Sequence, residues 1–200
     1  MRGVLLAIIL PAVLPFELLV GQQDTTDYPP AGFGTLRQEA ISIGFRTNEF
    51  EIQVVPLDER IIRLLAPDTY RSLHRLKSTK SDELDAVAAR YGLRTPNVFL
   101  VRFFGVQPRV RFEPEFLTIT SQNRLFRVLE IISLSPLWSG RQLNQRETAT
   151  AIYVFDDGIR IMDPMTLSYA FASTDRWGAL VRALETERAS VIARAAGRRP

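Results

Sequence analysis

Cysteine is absent from this 200-residue chain, histidine occurs once, and lysine occurs twice against 23 arginines. Without a thiol there is no disulfide, no thiolate metal site, no cysteine nucleophile and no lipid anchor attached through sulfur, so stability must come from the core. The single histidine, His74, excludes a histidine-based metal cluster and is the residue that any Ser/His/Asp triad would have to use. No GxSxG segment accompanies it. Its neighbours Arg71, Arg75, Lys77 and Lys80 are cations that oppose imidazole protonation, so the pattern predicts a solvated residue on a basic helix face.

Long apolar runs are scarce as well, and the one that is present lies at the start, over residues 4–20 behind Arg2. It is interrupted by Pro11 and Pro15, carries Glu17 and gives way at Gly21 to polar residues. That order predicts a secretory signal peptide over residues 1–21, with an uncleaved membrane anchor as the alternative. Export without cysteine points to a bacterial periplasm or exterior. Residues 22–35, rich in polar residues and then in Pro and Gly, read as a linker.

What is present is a globular core: 46% apolar and 10% aromatic residues suffice for one domain of this length. Residues 41–45 and 50–54 alternate across a turn at 46–49, which predicts a hairpin pairing Ile41, Ile43 and Phe45 with Phe50, Ile52 and Val54. The period then becomes helical. Pro67 opens one helix, acids at 82 and 83 open a second, Leu84, Val87, Ala88 and Tyr91 line its face, and Gly92 stops it. Strands are expected again over 98–104, 110–112, 116–120, 124–134, 148–155, 159–162 and 166–172. A last amphipathic helix is expected from about 175 to 196, with Trp177, Leu180, Val181 and Leu184 on one face. The expected fold is mainly β: an antiparallel sandwich over 36–174, a helical pair inserted at 67–92, and a helix with a basic tail over 175–200. Six arginines against two glutamates from Arg176 onward carry +4, which leaves the rest of the chain nearly neutral at −1.

Each candidate for chemistry has a plainer structural explanation. Asp157-Gly158 suits a two-residue type I′ hairpin turn, and Asp156 with Asp157 lacks the further oxygens that a calcium loop needs. Glu113 and Glu115 flank Pro114 in a turn, while Glu130 points to the face of Phe126, Val128 and Ile132 and so requires an arginine partner or a strand edge. The Gly32-Phe33-Gly34 segment precedes a strand, not a helix, so it is no dinucleotide loop. The basic tail is too sparse for a nucleic-acid stripe. No catalytic set, metal set or cofactor is implied.

Two functions from different classes remain. One is a non-catalytic module that binds another protein, as an accessory subunit of an envelope or membrane-bound complex, through Trp177, Leu180, Val181, Leu184 and the loop residue Trp138. The other is carbohydrate binding or processing, with Trp138, Tyr153 or Tyr169 as stacking platforms and Glu113 with Glu115 or Glu130 as the acids. The segments 112–119, 124–127 and 151–155, with a Pro-acid turn, an Asn-containing turn and an apolar strand ending in Phe, resemble bacterial exported immunoglobulin-like domains. That resemblance implies a sandwich and says nothing of a ligand.

Overall fold

A computed structural model of the chain describes residues 28–198. The expected leader over 1–21 and the first part of the linker lie outside the described residues. The fold is mainly β with antiparallel sheets and a C-terminal helix, although helix, at about 34%, matches strand, at about 32%. The strands enclose the core and the helices cover it. The two principal sheets are five-stranded, in the order β1 (Ile43–Arg46), β2 (Phe50–Pro56), β3 (Asn97–Gly105), β9 (Thr148–Phe155) and β7 (Glu130–Ser133), and four-stranded, in the order β11 (Ala172–Thr174), β10 (Met165–Tyr169), β5 (Leu117–Ser121) and β6 (Arg124–Arg127). A two-stranded ribbon joins β4 (Val110–Arg111) to β8 (Gln142–Leu143).

Alternation decides which side chains meet between the sheets. The first hairpin forms between the two expected runs, with Ile43 opposite Val54 and Phe45 opposite Ile52, but Ile41 is buried in the turn before the strand and takes no ladder partner. β3 pairs with both β2 and β9, so Phe99, Val101 and Phe103 share an inner face with Ile52, Val54, Ala149, Ala151 and Tyr153. Tyr169 of β10 comes down on this face, 5.3 Å from the Phe103 ring and 6.3 Å from Phe50. The sheet margins are linked: β6 runs through Val128 and Leu129 directly into β7, and β11 lies against β1.

The outer face of the five-stranded sheet is apolar at one end only, where Val98, Leu100 and Ile152 are buried. There it is covered by α2 (Pro67–Ser78) and α3 (Ser81–Tyr91), through Leu73, Leu84 and Val87. Gly92 ends α3 at φ 66°, the left-handed stop that glycine tolerates best. A short α1 (Glu59–Ile62), N-capped by the Asp58 carboxylate, and α4 (Leu137–Gly140) complete the short helices.

The last helix, α5 (Trp177–Ala196), docks its apolar side on the body. Trp177 is fully buried and its Nε1 donates to the Ile161 carbonyl at 2.8 Å. Farther along, the Glu187 carboxylate accepts from the Thr35 backbone and hydroxyl, and Arg194 Nε donates to the Phe33 carbonyl. Residues 33–36 are therefore not a free tether. Leu36 also bonds to Leu64 and Ala66, and Gly34 lies so close to Leu64 that a Cβ would stand 2.2 Å from its carbonyl carbon.

Three expected strands are altered, each for a physical reason. The run 124–134 is two strands, because residues 128–129 carry the chain from one sheet to the other without any turn residue. Residues 159–162 form no strand: Ile159 and Ile161 are buried without a ladder partner, and the Ile161 carbonyl accepts from Trp177. The run 166–172 breaks into β10, a turn and β11.

Replacing Trp177 by Ala removes a fully buried ring and should cost about 3–5 kcal/mol in urea unfolding. Trp177→Phe, which leaves the Ile161 carbonyl unpaired, should cost about 1–3 kcal/mol. Unchanged midpoints in both variants would mean that α5 is not docked.

Candidate functional site

The residues singled out for partner or sugar contact lie inside the molecule. Trp177, Val181, Leu184 and Trp138 are buried in the chain's own core and Leu180 packs half-buried against it. Their side chains face inward, so while α5 is docked they offer no surface to a partner. Trp138 is enclosed by Phe112, Phe103 and Tyr153 at ring distances of 5.2, 5.9 and 5.9 Å. Tyr153 donates its hydroxyl to the Pro114 carbonyl at 2.9 Å, and the Tyr169 hydroxyl accepts from the Glu113 backbone N–H at 2.9 Å. Burial pushes both phenols above the ordinary tyrosine value, so both stay neutral. A tryptophan and two tyrosines spent in this way are not stacking platforms.

The acids are occupied too. Arg141 forks onto Glu115 at 2.7 and 3.2 Å and reaches Glu113 at 3.3 Å. Glu130 has both features that its position requires: it lies on the edge strand β7 and pairs with Arg90 at 2.8 Å. Asp156 and Asp157 form a turn, but not a type I′ hairpin. Gly158 does not have positive φ, and its N–H donates to Asp156 Oδ1 at 2.8 Å as the chain crosses to the second sheet. The type I′ turn is at Gln122-Asn123, with φ of 50° and 61° between the paired Ser121 and Arg124. Among the described residues, no group of three or more acids and histidine is placed to hold a metal ion.

One end of the two sheets carries different features. The turn between β1 and β2, the ribbon, the 113–116 turn and the tip between β10 and β11 all gather there. Phe171 stands at the last of these tips, fully exposed, and Phe116 nearby is 56% exposed. Phe116 packs its ring 6.4 Å from Tyr169, and Phe104 and Leu137 also emerge at this end. A groove of about 410 Å³ lies between the Thr47–Glu49 turn and the Phe171 tip, floored by Phe50 and Tyr169.

Backbone strain collects here as well. Of the six non-glycine residues at positive φ among the described residues, Arg109, Arg141, Arg146 and Ala170 belong to this end. Ala170, at φ 50°, lacks the short polar side chain that makes such a conformation tolerable and costs about 1–2 kcal/mol there. That turn is what aims Phe171 outward. The sequence gives little signal for it, because Tyr-Ala-Phe-Ala reads as continuing strand.

At the opposite end, His74 is exposed on α2 as expected, but it has a partner that the sequence did not indicate. His74 Nδ1 lies 2.8 Å from Glu59 Oε1, and its ring is tilted by 35° against that of Tyr70, 5.4 Å away. Glu59, supplied by α1, also accepts from Arg63 Nε at 2.6 Å and from the Tyr70 hydroxyl at 3.3 Å. Burial alone raises the Glu59 carboxyl, but the hydrogen bonds and charges of Arg63 and His74 outweigh it and hold its pKa below the ordinary value of 4.5. The carboxylate can only accept, so Nδ1 carries the proton. This pair anchors α2 to α1.

The chain matches no protein-family model, no curated protein and no solved structure.

A carboxyl whose folded pKa is depressed stabilises above its unfolded value and loses that contribution as pH falls through the folded one. Glu59→Gln should therefore lower the thermal midpoint at pH 7, and the gap from the parent chain should close toward pH 3. A gap independent of pH would show that the carboxylate charge contributes nothing.

Proposed function

We propose that the chain is an exported, non-catalytic β-sandwich module that binds another protein, as an accessory subunit of an envelope or membrane-bound complex. The observation that carries this reading is Phe171, a fully exposed aromatic held outward by a strained alanine beside the half-exposed Phe116. An aromatic ring left in water on a strained turn forgoes burial that the fold could have supplied, and such features concentrate at interaction sites. Aromatics of this kind are the usual anchors of protein interfaces, seated where a rigid scaffold fixes them. The sandwich layers are the two sheets, and the immunoglobulin-like likeness is part of the same reading.

The exposed rings and the first described residue lie at opposite ends of the sheet. Tyr28 sits beneath Arg63, 5.1 Å from its guanidinium carbon, beyond the Pro56 end of β2. Phe171 is at the Phe50 end, a strand length of about 20 Å away. The aromatic end is thus the end of the sheet opposite Tyr28, the first described residue. Among the described residues, no helix is long and apolar enough to cross a membrane.

A photo-cross-linking amino acid placed at position 171 in the native cells should capture one discrete protein, and the same probe at Ala189 on α5 should not. Phe116→Ser should weaken the capture. The mass of the recovered chain shows at the same time whether residues 1–21 have been removed. No product from 171, or equal products from 171 and 189, would refute the binding reading.

A further inference from the structure

A second site lies in the helical insertion, about one strand length from the aromatic end and independent of it. Between the C-terminal turn of α2, the first turns of α3 and residues 94–96 is a cavity of about 300 Å³. That is the lower limit of the volumes at which small-molecule sites are found. Its floor is apolar, made by Leu84, Ala88 and Val98, and its walls carry the Ser78 and Ser81 residues and several charges.

Those charges do not cancel internally. Glu59 is already matched by Arg63 and His74. Lys77, Arg94 and Asp85 make no ion pair among the described residues, and together they leave one positive charge facing the cavity. The Arg94 backbone N–H is held by Asp157, which fixes the loop that carries that cation. Two cations over an apolar floor, with hydroxyls at the rim, suit a ligand with a single negative group on a short apolar body. We infer that this cavity is a binding site for a small organic anion, a carboxylate on a hydrocarbon chain or ring.

The test is a titration of the purified full chain with hexanoate, followed by the amide signals of the protein in NMR spectra, with hexylammonium as the cationic counterpart. Hexanoate should produce saturable shifts confined to residues around Ser78, Ser81, Leu84 and Val98, and hexylammonium should produce none. Lys77→Glu and Arg94→Glu should each weaken hexanoate binding by about tenfold or more, since each converts an attraction at close range into a repulsion. Asp85→Asn should strengthen it. Arg94 and Asp85 are exposed and Lys77 is half-exposed, so the variants should remain folded, with a urea midpoint near the parent's for the Arg94 and Asp85 variants and a slightly lower one for Lys77→Glu at the C-terminal turn of α2. Shifts that do not saturate, equal binding of hexylammonium, or an Arg94→Glu variant that binds hexanoate like the parent would each overturn the assignment. None of these outcomes bears on Phe171, so the protein-binding reading stands or falls separately.

Discussion

Phe103, on the inner face of β3, touches four other rings, and each belongs to a different part of the chain. Phe112 is stacked at 4.9 Å from the end of the ribbon, Tyr169 meets it from the second sheet, Phe50 from the neighbouring strand, and Trp138 from α4. One ring thereby fixes the spacing of the two sheets, the seat of the ribbon and the position of a short helix that has little stability of its own. The room for it comes from β9. Opposite Val101 and Phe103 that strand carries Ala151 and Ala149, and α4 lies against the space those small residues leave.

The aromatic end depends on this cluster. Loops are ordinarily the least ordered part of a domain, and here they are tied from beneath by buried phenols. Tyr153 holds the Pro114 carbonyl and Tyr169 holds the Glu113 N–H, while Arg141 clamps the two acids from above. The 113–116 turn that presents Phe116 is thus fixed on two sides. Tyr169 also begins the turn that presents Phe171. The same tyrosine supports both exposed rings, which is why the two aromatic tips form one surface.

Much of the scaffold was legible because period and local chemistry agree along it. The first hairpin and the helical pair from Pro67 to the Gly92 stop combine a clear hydrophobic period with fitting turn or stop residues, and the terminal helix shows its inward face through Trp177, Val181, Leu184 and Val191 although no side chain caps its start. Where those signals separate, legibility ends. Residues 124–134 keep one apolar pattern across a change of sheet, and Ile159 and Ile161 alternate because both are buried in a crossover that has no ladder partner. Asp157-Gly158 has good turn chemistry at a crossover, whereas the type I′ turn falls on Gln122-Asn123. Of the candidate site, the aromatic content was visible but its sorting was not. Trp138, Tyr153 and Tyr169 are inside while Phe116 and Phe171 are outside, and that division follows from non-local packing around Phe103.

The helical insertion is explained by the same sheet. At its Asn97 end the outer face is apolar through Val98, Leu100 and Ile152, and bare exposure of such a face would cost roughly 25 cal/mol for each Å² left in water. Helices α2 and α3 remove most of that cost, but the stripe on α3 narrows. Leu84 and Val87 reach the sheet, whereas Ala88 is too short to fill the gap beside Val98. The cavity is therefore the place where cover for the sheet is incomplete, and its rim is set by the polar faces of helices that must remain wet. An apolar floor with a charged rim results from that geometry, and it gives the two ends of the molecule different chemistries on one rigid core.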